Sequence, residues 1–171
     1  MDVMTDAKEP WKEREPMNEQ TYLDLMRQAE GVLYHVASTL LRDEADRRDA
    51  MQETALRAWE KRHTLREERC FQTWCVHIMM NVCHSMSRKG RQTVTMERKP
   101  ERPIRCEEPE LRMVLDGMPE KHRLPLVLYY LEGFSVEEIA RAMGVPAGTF
   151  KYLLHQARKA LRIEWNEEKT V

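Results

Sequence analysis

Between Pro16 and Pro100 the chain contains no proline, and Gly31 and Gly90 are the only glycines in that span. Proline and glycine are the residues that cost a helix interior most, so a stretch almost without them is free to be helical throughout. Beyond it, Pro100, Pro103 and Pro109 fall close together among charged side chains. Such a segment breaks any helix and reads as an extended linker. At 171 residues the chain has room for two small units. The expected fold is all-α, with a helical bundle over residues 20–90, a linker over 91–109 and a second helical unit over 110–165. The first twenty residues receive no assignment.

Periodicity supports a bundle. From Tyr22 the apolar positions Leu25, Met26, Ala29, Val32, Leu33, Val36, Ala37, Leu40 and Leu41 recur at intervals of three and four, the signature of one buried helix stripe. Asp43 is placed to cap a second helix running through Ala50, Met51, Thr54, Ala55, Ala58 and Trp59. A polar interval from Lys61 to Arg69 follows, and a third helix restarts at Phe71 with Trp74, Cys75, Ile78, Met79, Val82 and Met86 on its inner side. These stripes, Trp74 included, are assigned to packing. Packing does not account for the string from Asp46 to Glu53, in which Asp46, Asp49 and Glu53 share one side of the second helix. That face is either merely solvated or docks another protein.

The second unit carries a sharper signal. Ser135 is placed to cap a short helix while Glu138, three residues on, reaches back to the cap's own amide. Gly144 suits the left-handed residue that ends such a helix, and Pro146 suits the start of the next. The following helix is expected from Ala147 to Leu161, with Phe150, Leu153, Leu154, Ala157 and Leu161 inward and Lys151, Tyr152, His155, Arg158, Lys159 and Arg162 outward. An apolar back and a basic, hydrogen-bonding front fit the major groove, although helical hairpins without any DNA role are common. The apolar run from Leu124 to Leu131 could pass for a strand; its helical surroundings override that reading.

Charge is segregated along the chain. Residues 1–60 hold 8 basic and 14 acidic side chains, residues 61–106 hold 11 and 4, and the remainder 9 and 11. A basic centre suits a phosphate backbone and an acidic first third suits a basic protein surface. Cys70, Cys75, Cys83 and Cys106 form no C-x-x-C pair, and there is neither a bilayer-length apolar run nor a signal-peptide pattern. A cytosolic chain with reduced thiols, no membrane insertion and no metal or other cofactor is the expectation. His77 and His84 lie near Cys75 and Cys83, but helical phase puts Cys75, with Val82 and Met86, on the buried stripe, and small buried thiols rather than metal ligands are the expectation.

Two blocks of residues resemble one known family, the extracytoplasmic-function (ECF) sigma factors of bacterial RNA polymerase. Asp46-x-x-Asp49-x-x-Gln52-Glu53-Thr54, Ala58-Trp59 and Phe71-x-x-Trp74-x-x-x-Ile78-x-x-Asn81, with Arg88 beyond, are similar to that family's region 2. Met118-Pro119, the run Leu131 to Ala140, Gly148-Thr149-x-Lys151 and Ala157-Arg158-Lys159-x-Leu161 resemble its region 4. The resemblance implies that Asp46, Asp49, Gln52 and Glu53 dock on core RNA polymerase. It implies that His63, Thr64, Arg66, Asn81 and Arg88 engage the minus-10 element of promoter DNA. It places Lys151, Tyr152, His155, Gln156 and Arg158 over the minus-35 element, and implies an anti-sigma partner. Phe150, Leu153 and Gln156 depart from the family's usual valine and arginines, so the reading face carries fewer cations.

The function expected is therefore a sigma factor that confers promoter recognition on a polymerase, not an enzyme. One rival is a free-standing helix-turn-helix regulator binding operator DNA. Another is a metal- or redox-active helical enzyme, for which no paired carboxylates, activated nucleophile or phosphate loop is present.

Overall fold

The computed structural model describes residues 17–91 and 109–168. Among these residues seven helices form the architecture: α1 (Glu19–Leu40), α2 (Glu44–Lys61), α3 (Phe71–Arg91), α4 (Pro109–Gly117), α5 (Glu120–Leu126), α6 (Val136–Met143) and α7 (Ala147–Glu168). Two single 3-10 turns, Arg62–Thr64 and Glu68–Cys70, join α2 to α3. The expected linker lies, but for its two ends, outside the described residues.

Local chemistry starts the first two helices. The Asn18 side chain accepts the Thr21 amide at 2.8 Å, and that of Asp43 accepts the Ala45 amide at 2.8 Å. Each satisfies a donor that the helix leaves without an internal partner. The apolar stripe of α1 then packs on α3 through Ala29, Leu33, Val36 and Ala37, against Cys75, Val76, Met79, Val82 and Cys83, all of them buried. Full burial of one such large aliphatic side chain contributes about 1.5–3 kcal/mol. Tyr22 closes the end near the α2–α3 connection: its ring meets Trp59 and Phe71 edge-on at 5.0 and 5.9 Å, and its hydroxyl donates to the Ala55 carbonyl at 2.6 Å. Burial pushes the phenol up to about 12.

One member of the charged string on α2 belongs to the core. Arg47 is wholly buried, and α2 turns Arg47, Ala50, Thr54 and Ala58 inward together. Its guanidinium donates to the Leu41 carbonyl (3.1 Å), the Arg42 carbonyl (2.8 Å) and the Glu44 carboxylate (3.2 Å). Those carbonyls lie just past the end of α1, where no further helical turn supplies amide donors. Packing therefore explains Arg47, which the string had left unexplained, while Asp46, Arg48, Asp49 and Gln52 remain exposed.

In the second unit the cap at Ser135 forms as its residue types dictate. Glu138 accepts the Ser135 amide at 2.9 Å and hydroxyl at 2.7 Å, and the hydroxyl oxygen accepts the Glu138 amide at 3.3 Å. Gly144, at φ 67°, ends α6, and the Val145 and Gly144 amides bond back to Ala140 and Arg141 at 2.9 and 3.2 Å. Leu124–Leu131 is helical, passing from α5 into a wider π-type turn over Val127–Leu131. Pro125 within α5 has no amide hydrogen to continue the regular ladder. Helix α7 continues to Glu168 rather than stopping at Leu161. Its apolar rhythm does fade near Leu161, but no glycine or proline follows to break it.

The two units touch. Helix α1 packs on α5, and α3 packs on α6. Arg123 of α5 donates to the Thr39 carbonyl of α1 at 2.6 Å and to the Asp116 carbonyl at 3.2 Å.

Candidate nucleic-acid and polymerase interfaces

Three surfaces carry the residues singled out from sequence. The first is the outer side of α2. Asp46, Asp49 and Gln52 are exposed, and Glu53 is half-buried in a 2.6 Å ion pair with Arg57 one turn on. Partial burial, then the nearby Asp43 and Asp49, push the Asp46 carboxyl up. Clustered acids at helical spacing make this surface complementary to a basic partner. Gln52 also borders a groove of about 790 Å³ between α1 and α2, with Arg27, Glu30, Tyr34 and Arg48 along its rim.

The second surface is a cleft of about 480 Å³ where the α2–α3 connection meets the start of α3. Thr64, Arg66, Arg69, Thr73, Trp74 and His77 line it, together with Arg141 from α6. Of the five minus-10 candidates, Thr64 and Arg66 line the cleft, and His63 is exposed on the same 3-10 turn. Asn81 is drawn to the cleft's edge, its side-chain amide donating to Nε2 of His77 at 3.0 Å. Arg88 is exposed two helical turns beyond Asn81, about 10 Å along the axis, and does not line the cleft. Trp74 was assigned to packing. It does lie 5.9 Å from Phe71, but it is half-buried and also forms a wall of the cleft. Arg69, His77 and Arg141 were not singled out for this surface. Arg69 could have been found from its loop; Arg141 could not, since only tertiary packing brings α6 there.

The third surface is the outer side of α7. Phe150, Leu154 and Ala157 are buried, which fixes the helix by its apolar back. Lys151, Tyr152, His155, Lys159 and Arg162 are exposed, and Gln156 is half-buried beside them. Arg158 is held apart from this set. Its Nε donates to the Tyr130 hydroxyl at 2.7 Å, and its guanidinium stands 5.6 and 5.5 Å from the ring centres of Tyr129 and Tyr130. A cation tied to two aromatic rings is turned toward the π-type segment rather than straight outward.

Two family descriptions match this chain, sigma-70 region 2 over residues 25–93 and sigma-70 region 4 over residues 109–161. A curated relative, the ECF RNA polymerase sigma factor EcfG of Rhodopseudomonas palustris, is 32% identical over 128 residues, covering 70% of each chain. The chain belongs to the ECF family of RNA polymerase sigma factors. The ECF sigma factor SigE of Mycolicibacterium smegmatis is 30% identical over 154 residues, which are 81% of this chain and 59% of that relative. The RNA polymerase sigma-E factor of Streptomyces coelicolor is 29% identical over 148 residues, 82% of this chain and 84% of its own. Among solved structures, the sigma factor RpoE of Bartonella quintana, in complex with the anti-sigma factor NepR, superposes with a TM-score of 0.69 at 24% identity. That match covers 86% of this chain and 95% of the other, and it shows the shared fold.

As a sigma factor the chain directs RNA polymerase to promoters, and sigma factors are initiation factors rather than enzymes. A free-standing operator-binding regulator is excluded, because a region 2 stands ahead of the region 4 helix pair. Among the described residues no group of three or more His, Cys, Asp or Glu side chains is arranged to hold a metal ion. Nor is any described helix long and apolar enough to cross a membrane. Burial pushes the thiols of Cys75 and Cys83 up to about 12, which keeps them as unreactive core groups.

Proposed function

We propose that the three surfaces divide the work of initiation among themselves. Residues 20–90 form the unit that binds core RNA polymerase and the minus-10 element, 91–109 the linker, and 110–165 the unit that reads the minus-35 element. Asp46, Asp49, Gln52 and Glu53 dock on the polymerase. His63, Thr64 and Arg66, with Asn81 beside them, take a base of the non-template strand from the opening duplex; Arg88 adds a phosphate contact farther along α3. Lys151, Tyr152, His155 and Gln156 read the upstream element in the major groove, with Arg158 at the rim. The chain itself catalyses nothing; it works in the cytoplasm, and an anti-sigma protein holds it in check.

The observation that carries this reading is the cleft's chemistry: an aromatic wall at Trp74 flanked by Arg66 and Arg69, with small hydroxyl groups at Thr64 and Thr73. An extruded base needs a stacking wall, and its phosphates need cations. Stacking on an aromatic side chain contributes about 1–3 kcal/mol per base, enough to offset the few kcal/mol that unstacking costs. Run-off transcription with core polymerase and genomic fragments tests the reading and locates a promoter at once. Failure to direct any transcript, with polymerase bound, refutes it.

A further inference from the structure

Arg158 differs from the other cations of α7 in being exposed and yet held in place. It comes seven positions after Lys151, so it lies on nearly the same side of α7, two turns and about 10 Å farther along the axis. Recognition helices read base edges from their N-terminal part, and the major groove is about 12 Å wide. A cation that far beyond the reading set meets the strand bordering the groove, where the groups presented are phosphates.

The segment ahead of the helix pair supplies what holds Arg158. The turn over Val127–Leu131 is wider than an α-helical one: the Glu132 amide bonds to the Val127 carbonyl, five residues back, at 3.0 Å. Consecutive side chains of a regular helix diverge by about 100°. Tyr129 and Tyr130 nevertheless both stand beside one guanidinium, with ring centres 5.6 and 5.5 Å from it. The two rings meet edge to face at 4.9 Å, and Tyr129 packs against the core, so Tyr130 is braced although it is 55% exposed. Its hydroxyl accepts the Arg158 Nε hydrogen at 2.7 Å. Among the described side chains nothing else takes a hydrogen bond from Arg158. With Nε engaged, the donors on Nη1 and Nη2 remain, and they form the forked end that can pair with two phosphate oxygens.

We propose that Tyr130 is a positioning residue for promoter binding, holding Arg158 so that its Nη1 and Nη2 meet a DNA phosphate at the border of the minus-35 element. The proposal rests on the placement of α7 over that element. An arginine side chain loses much rotamer freedom when it is fixed, and ordering such a side chain during binding lowers affinity. Here the ordering is complete before DNA arrives, through a hydroxyl that itself need not touch DNA.

The test is a double-mutant cycle in the full chain bound to core polymerase: parent, Tyr130→Phe, Arg158→Ala and the two combined. Circular dichroism first establishes that each variant keeps its helices. Competition against a fluorescein-labelled duplex carrying the mapped minus-35 element then gives affinity at several salt concentrations. Arg158→Ala should weaken binding about tenfold and reduce the slope of log affinity against log salt by about one. Tyr130→Phe, which keeps the ring, should weaken binding roughly two- to tenfold in the parent and not at all in the Arg158→Ala background. Both losses should persist unchanged when base pairs of the upstream element are altered, since a phosphate carries no sequence. An equal loss from Tyr130→Phe with and without Arg158 overturns positioning, because the hydroxyl then contacts DNA itself. A loss from Arg158→Ala with none from Tyr130→Phe overturns it too, because the guanidinium then needs no brace. If Arg158→Ala changes neither affinity nor slope, the proposal falls. Lys151→Ala, measured alongside, then separates the two readings: the placement of α7 stands if that variant still loses affinity, and falls as well if it does not.

Discussion

Adjacent arginines on α2 should behave as different residues. Arg47 is wholly buried and donates to two carbonyls and one carboxylate, whereas the side chain of Arg48 is 71% exposed and reaches Glu44 only at 3.5 Å. Truncating Arg47 to alanine strands the Leu41 and Arg42 carbonyls. Each buried group left without a partner costs about 1–3 kcal/mol, and breaking a buried charged pair costs about 3–5 kcal/mol. The effects share one network and do not add, so about 4 kcal/mol is the expected total for Arg47→Ala. With a urea dependence of about 1–3 kcal/mol per molar, the midpoint should fall by about 2 M, or the variant should fail to fold. Arg48→Ala should cost about 0.5 kcal/mol or less, as exposed ion pairs do. Arg47→Met should lie between, filling the space but leaving both carbonyls unmet. Urea unfolding followed by far-ultraviolet circular dichroism measures all three. A cost for Arg47→Ala near that for Arg48→Ala would refute the claim that this guanidinium closes the end of α1.

Asp49→Lys with Glu53→Lys should weaken binding to core polymerase at moderate salt while leaving unfolding nearly unchanged, with the deficit shrinking as salt rises; fluorescence titration with labelled core measures it. Lys151→Ala and Tyr152→Ala should each cost about 1–3 kcal/mol on promoters that carry the preferred upstream element and little on others, read as transcript yield across upstream variants. His63→Ala with Arg66→Ala should leave closed-complex binding intact but lower permanganate reactivity of unpaired thymines, with transcription recovered on a template mismatched at the minus-10 element. The Ser135 amide and then its hydroxyl hold the Glu138 carboxyl below the usual range. A lowered folded-state value stabilises the protein above the unfolded value, and that contribution is lost as pH falls through the folded one. Glu138→Gln should therefore lower stability at neutral pH, change little in acid and so flatten the acid limb of a stability-against-pH curve.

What could be read from sequence was whatever depends on neighbours in the chain. Ser135 and Glu138 are three residues apart, so their reciprocal cap follows from residue type and spacing, and Gly144 with Pro146 marks the turn in the same way. The α1 stripe and the restart at Phe71 follow from period alone. Arg47 was beyond that reach, because a charged residue between charged neighbours looks solvated, and only the fold brings carbonyls to it. For the same reason Arg158 looked like one more outward cation until the Tyr130 hydroxyl, 28 residues earlier, accepted a hydrogen bond from its Nε. Among the histidines, phase placed His77 and His84 on α3, but nothing local foretold a partner 65 residues on for one and 36 for the other.

Helix α7 keeps the residues that hold it and the residues that face outward in separate sets. Phe150, Leu154 and Ala157 anchor it, and none of them is among Lys151, Tyr152 and His155. Exchanging the outward set leaves the anchoring contacts intact, and solvent-facing substitutions away from caps usually change stability by less than about 0.5 kcal/mol. If those three read the upstream element as proposed, lineages carrying this scaffold can drift in promoter preference by single steps, none of which first has to survive a loss of fold. A library randomised at those three positions should yield folded members at nearly every draw, so that selection on it would act on the DNA sequence read and hardly at all on stability.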